Sequence, residues 1–103
     1  MADTNFDEEL SGVAVPSQHV IFTDLDGSEG VLVDLNTRKY YQLNETAALI
    51  WRGFERRVAI AEIAKEMTDV YDVSDEQAVA SVSRLLRELS ARKFVRLETP
   101  GLP

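Results

Sequence analysis

Between His19 and Leu43 three short runs of β-branched and aromatic residues follow one another, with gaps too short for anything but hairpins. His19-Val20-Ile21-Phe22-Thr23 leads to Asp26-Gly27, a strong turn pair. Gly30-Val31-Leu32-Val33-Asp34-Leu35 comes next, then the turn Asn36-Thr37-Arg38, in which Asn36 is the residue expected to take the left-handed conformation. Lys39-Tyr40-Tyr41-Gln42-Leu43 is the third run. Parallel pairing would need a crossover of about a dozen residues, so the three runs form an antiparallel meander.

After Leu43 the apolar period changes from two to 3.6. Asn44 reads as a helix N-cap with Glu45 at the positive end of the helix dipole, and Gly53 as the natural stop. Ile60, Ile63, Ala64, Met67 and Tyr71 predict a second helix over Ala59–Tyr71. Ser74-Asp75-Glu76-Gln77 has the spacing of a capping box and opens a third, which carries Val79, Val82, Leu86 and Leu89 on one stripe and ends near Arg92. Phe94 to Leu97 forms a short closing segment. Strands then helices, segregated along the chain, define an α+β fold. A three-stranded antiparallel sheet followed by three helices has the outline of a winged helix-turn-helix. Residues 1–17 read as a flexible acidic arm with a short extended piece before Pro16, residues 18–98 as the domain, and 99–103 as a tail.

The inventory excludes most chemistry. With no cysteine, thiol catalysis and zinc–thiolate sites are absent. His19 is the one histidine, with no second ligand at motif spacing, and reads as structural. The five glycines form no phosphate loop. Asp24, Asp26 and Glu29 lack the order of a calcium loop and read as turn residues, while Asp75 and Glu76 read as first-turn helix acids. No catalytic residue, metal or cofactor is therefore expected. A net charge of −7 opposes binding to phosphate backbones, so no nucleic-acid partner is expected. No apolar run approaches the roughly 20 residues needed to span a bilayer, and no secretory signal is seen, which leads us to expect a cytoplasmic chain with no membrane contact.

The stretch from Val31 to Ala47 (Val-Leu-Val-Asp-Leu-Asn-Thr-Arg-Lys-Tyr-Tyr-Gln-Leu-Asn-Glu-Thr-Ala), followed by Ile50-Trp51, then Ile60-Ala61-Glu62-Ile63-Ala64 and Tyr71-Asp72-Val73, resembles the PqqD-like family. These are small peptide chaperones of pyrroloquinoline quinone biosynthesis and of other ribosomally made, modified peptides. The likeness covers about Gln18 to Leu97. It implies a non-catalytic recognition element with three strands and then three helices. A precursor's leader peptide would add as a strand beside the third strand and lie against the third helix. The implied partner is a separate modifying enzyme, typically a radical S-adenosylmethionine enzyme.

An edge strand can bind a peptide because it presents unpaired N–H and C=O groups at fixed spacing. The candidate edge is Lys39, Tyr40, Tyr41, Gln42 and Leu43, with Tyr41 and Leu43 turned toward the helices. Lys39 either contacts the peptide or keeps the edge from pairing with itself. On the third helix Ala78 and Leu85 flank the Val82 stripe, with Ser81 and Arg92 just beyond, and this side is the candidate groove wall. Ala78 and Leu85 would also fit a wider core contact. The opposite flank, Ser83, Arg87 and Ser90, is polar. Arg92 and Arg84 are positioned to attract an acidic leader residue. Trp51 reads as core in preference to an aromatic clamp, and Arg52, Arg56 and Arg57 as a solvated run in preference to a docking patch.

Two other readings compete. A winged-helix DNA-binding regulator would insert the third helix into a major groove through Arg84 and Arg87, against the net charge and against Glu76 and Glu88 on the same helix. An interaction domain for a folded regulatory partner would need no peptide at all. The leader, the modification and the oligomeric state are not legible in the residues.

Overall fold

The computed structural model describes residues 9–98. In chain order the elements are β1 (Val13–Pro16), β2 (Val20–Asp24), β3 (Gly30–Asp34), β4 (Tyr40–Leu43), α1 (Glu45–Glu55), α2 (Ile60–Val70), α3 (Asp75–Ala91) and β5 (Val95–Glu98). The meander holds: β2, β3 and β4 form an antiparallel sheet in that order. One face carries Leu32 and Leu43, both fully buried, while Val31, Val33, Tyr40 and Gln42 on the other face are half-buried or exposed. The fold is α+β, a small sheet packed on helices.

The chain before the meander is where the sequence reading needs correction. Val13–Pro16, assigned above to the arm, is a strand paired antiparallel with β5, Val13 opposite Glu98 and Pro16 opposite Val95. Ala14 is fully buried and Val15 nearly so, and the Gly12 carbonyl accepts from the Ile60 N–H at 2.9 Å. The apolar run Val13-Ala14-Val15 is only three residues long, too short to outweigh the polar surroundings when read locally. Its partner strand lies at the other end of the domain. The acidic residues Asp3, Asp7 and Glu8 of the arm and the 99–103 tail lie outside the described residues.

Helix starts follow the capping signals. Asn44 Oδ1 accepts from the Ala47 N–H at 2.9 Å, and Ser74 and Gln77 form a reciprocal capping box at 3.0 and 3.1 Å. Gly53 does not stop α1, which continues to Glu55. A Cβ at Gly53 would lie 2.6 Å from Ile63 Cγ1, so the glycine is where α1 and α2 approach most tightly. Gly53→Leu should therefore destabilise the domain toward the upper end of about 1–3 kcal/mol for overpacking. That exceeds the roughly 1 kcal/mol gained in helix propensity. Urea unfolding followed by circular dichroism measures the difference.

The β3–β4 turn also differs. Asn36 does not take positive φ; Arg38 does, at 63°. The buried Asp34 carboxylate accepts from the N–H groups of Asn36 and Thr37 (2.9 and 3.4 Å), which holds both in the turn and defers the reversal to Arg38. Burial raises the Asp34 pKa, but those hydrogen bonds and the nearby His19, 3.8 Å away, outweigh it and leave the carboxyl below its usual value. His19 thus sits half-buried against a structural carboxylate. Trp51 is fully buried, edge-on to Phe54 at 6.2 Å between ring centroids, and is core as expected.

Candidate functional site

Which backbone groups β4 leaves free follows from its ladder. The Asp34 N–H donates to the Lys39 carbonyl, and the Leu35 N–H to the His19 carbonyl, at 2.9 and 2.8 Å. Antiparallel pairs alternate between bonded and non-bonded. With Leu32 opposite Tyr41 and Gly30 opposite Leu43, even-numbered residues of β3 bond to β4 and odd-numbered ones to β2. Lys39, Tyr41 and Leu43 therefore spend their backbone groups on β3. Tyr40 and Gln42 point theirs outward, along an edge that carries no further strand among the described residues.

That edge faces α3 across a trench. The Tyr41 ring reaches over it: its O–H donates to the Glu88 carboxylate, and the Arg92 guanidinium stacks on the ring at 4.7 Å from the centroid. Burial, then the bond to Glu88, pushes the Tyr41 phenol above its usual pKa, with Arg92 opposing, so the phenol stays a donor at neutral pH. On either side of this bridge lies a cavity. One, of about 240 Å³, is lined by Asn44, Thr46, Ala47 and Ile50 of the α1 start and by Ser81, Arg84, Leu85 and Glu88 of α3. The other, of about 440 Å³, includes Lys39, Tyr40, Ala91, Arg92 and Phe94.

The structure brings most of the expected residues to this trench. Tyr41 and Leu43 turn toward the helices, Leu43 into the core and Tyr41 half-buried at the trench. Tyr40, 73 % exposed, and Gln42 lie on the open face. Lys39 and Arg92 line one cavity, Ser81 and Leu85 the other. Ala78 and Val82 are the exceptions as groove-wall residues: both are fully buried and contribute no surface. Leu85 is 7 % exposed and offers only an edge. Of the expected stripe on α3, Val82, Leu86 and Leu89 are buried and Val79 is half-buried, while Ala78, Ser83 and Leu85 are buried as well. The helix is covered from more than one side, so residues expected to flank the core fall inside it.

Three features escaped the sequence reading. Half-buried Ala47 supplies apolar surface at the 240 Å³ cavity, with only the edge of buried Ile50 beside it, as the i, i+3 spacing directly after the edge strand could have suggested. Glu88 is the anchor of Tyr41 in addition to an exposed acid. Ser83, placed on a polar flank, is buried and donates to the Glu9 carboxylate from the segment before β1. Arg52 and Arg56 are held by Asp24 and Glu66 at 3.2 and 2.8 Å. Among the described residues no three potential metal ligands come together, and no helix is long and apolar enough to cross a membrane.

A helix-backed sheet whose β4 edge lies free beside a trench defines a small recognition domain of winged-helix outline. Residues 29–95 match the model of the family described as coenzyme PQQ synthesis protein D (PqqD), and the chain belongs to that family. Two solved structures share the fold. One is TbiB1 in complex with the TbiA(beta) leader peptide, with 24 % identity over 80 % of this chain and 94 % of that one, and a TM-score of 0.74. The other is lasso peptide synthetase B1 complexed with the leader peptide, with 25 % identity over 81 % and 96 % of the two chains, and the same TM-score. Among curated proteins none matches.

Proposed function

We propose that this chain is a non-catalytic recognition element that binds the leader of a ribosomally made precursor peptide by adding it as a strand to β4, and presents it to a separate modifying enzyme in the cytoplasm. The observation that carries the reading is the pair of outward-facing backbone units at Tyr40 and Gln42, open to a trench walled by α3. Membership of the PqqD family and likeness to two proteins solved with leader peptides support it. Main-chain pairing would supply affinity, and the two cavities would select side chains. A radical S-adenosylmethionine enzyme is the partner implied by the family resemblance.

The competing DNA-binding reading finds less support. The outer surface of α3 sets Asp75, Glu76 and Glu88 against Arg84 and Arg87, and the net charge is −7.

Titrating the isotope-labelled chain with a synthetic leader should shift the backbone amides of Lys39–Leu43 and of α3 in NMR spectra. Shifts confined to other elements, or none at sub-millimolar peptide, would overturn the proposal.

A further inference from the structure

We infer that the trench selects a peptide strand in which an acidic residue lies four positions from an aliphatic one, the acid beside Lys39 and Arg92 and the aliphatic side chain beside Leu85. This rests on the strand-addition reading above and specifies what that strand must carry.

The electrostatics of the trench run against those of the chain. The whole sequence is at −7, yet Lys39, Arg84 and Arg92 all border the two cavities. The carboxylates that border them are already engaged. Asp34 is buried and accepts from Asn36 and Thr37, and Glu88 accepts from Tyr41. Among the described residues neither Lys39, Arg84 nor Arg92 is in an ion pair, whereas Arg52, Arg56 and Arg96 each have one. Three cations against two carboxylates leave the cleft net positive in a chain that is net negative, and such a cleft favours an anionic occupant.

Both cavities have mixed polar and apolar walls, and they differ in which side chains they offer. At the Arg92 end, Lys39 and Arg92 are exposed and converge on the larger space of about 440 Å³. At the Leu85 end, the smaller space of about 240 Å³ has Ala47, Ile50 and Leu85 at its base. Tyr41, bonded across to Glu88, separates them. Lys39, which lines the larger cavity, and Leu43, next to the Asn44 that lines the smaller, are four positions apart on the Tyr41 side of β4, and a strand advances about 3.3 Å per residue with its side chains alternating. An added strand therefore reaches both cavities with same-face residues i and i+4, and sets residue i+2 against Tyr41.

The test uses the full chain and ten-residue peptides in a threonine–serine background. Positions i and i+4 carry Leu with Glu, Leu with Lys, or Ser with Glu, each in both orders, and binding is followed by NMR at the Tyr40–Leu43 amides. The Leu/Glu peptide, in one of its orders, should bind at least threefold more tightly than the Leu/Lys and Ser/Glu peptides. In the double variant Lys39→Glu with Arg92→Glu the preference between Leu/Glu and Leu/Lys should reverse, which also shows that the variant is folded. Binding at β4 with equal affinity for Glu and Lys peptides would overturn the inference and leave strand addition standing. A set of peptides that all leave β4 unperturbed would overturn both.

Discussion

Gln42→Pro should weaken leader binding by about tenfold or more and leave the domain folded. The N–H of Gln42 points away from β3, so proline at this position removes no bond of the ladder. Edge strands tolerate proline for this reason, and Tyr41 before it is already extended, as a residue preceding proline must be. What disappears is one of the two outward donors that strand addition requires, and the pyrrolidine ring occupies the line along which the peptide carbonyl would approach. A peptide acceptor left unpaired at the interface costs about 1–3 kcal/mol, so affinity should fall about tenfold or more. Gln42→Ala is the control. Because the contact is made by backbone, the alanine variant should bind within about twofold of the original, the range expected for an exposed side chain. Isothermal calorimetry gives both affinities, and the far-ultraviolet circular dichroism of Gln42→Pro should match that of the parent. Equal losses in the proline and alanine variants would move the interaction from the strand edge to the side chain.

How far the residues alone reach depends on how local the cause is. The meander was legible because each of its turns is written within a few residues, and the helix starts because Asn44 and the Ser74–Gln77 box act within one turn. The pairing of β1 with β5 was not: the extended piece before Pro16 and the closing segment at Phe94–Leu97 were each legible, but nothing local joins them across the domain. Gly53 misled for a related reason. By propensity a glycine ends a helix, and only the approach of Ile63 explains one in its interior. At the site, alternation together with the apolar character of Leu43 set Tyr41 and Leu43 toward the helices. The depth of Ala78, Val82 and Leu85 depended on how many neighbours surround α3, a quantity no single-helix pattern contains. Reading Ala78 and Leu85 as core was therefore the better of the two alternatives, and the apolar surface of the trench comes instead from Ala47, with only the edges of Ile50 and Leu85.

Trp51→Ala should cost about 3 kcal/mol or more of stability, a large fraction of the roughly 5–15 kcal/mol available to a domain of this size. The indole is fully buried in the same core as Phe54, Ile60, Ile63 and Leu89, and truncation leaves a cavity that these neighbours can close only in part. One term runs the other way. Indole Nε1 is buried without a hydrogen-bond partner, and removing it relieves a desolvation cost of about 1–3 kcal/mol. This sets the expectation toward the lower end of the range for large aromatic truncations. Trp51→Phe separates the two terms: it discards the unpaired N–H but keeps most of the ring volume, and should lose clearly less than the alanine variant. Urea denaturation followed by circular dichroism is the measurement, since the sole tryptophan cannot report on its own removal. Leader binding then distinguishes damage to the core from damage to the edge. A ligand that binds only the folded state adds about 2.7 kcal/mol at a hundred times its dissociation constant. Saturating leader should therefore restore much of the stability of Trp51→Ala, whose β4 edge is intact, and add only about half as much to Gln42→Pro, whose edge has lost the donor. If leader fails to raise the unfolding midpoint of Trp51→Ala, then α1 and its Ala47–Ile50 surface contribute to peptide binding more than β4 does.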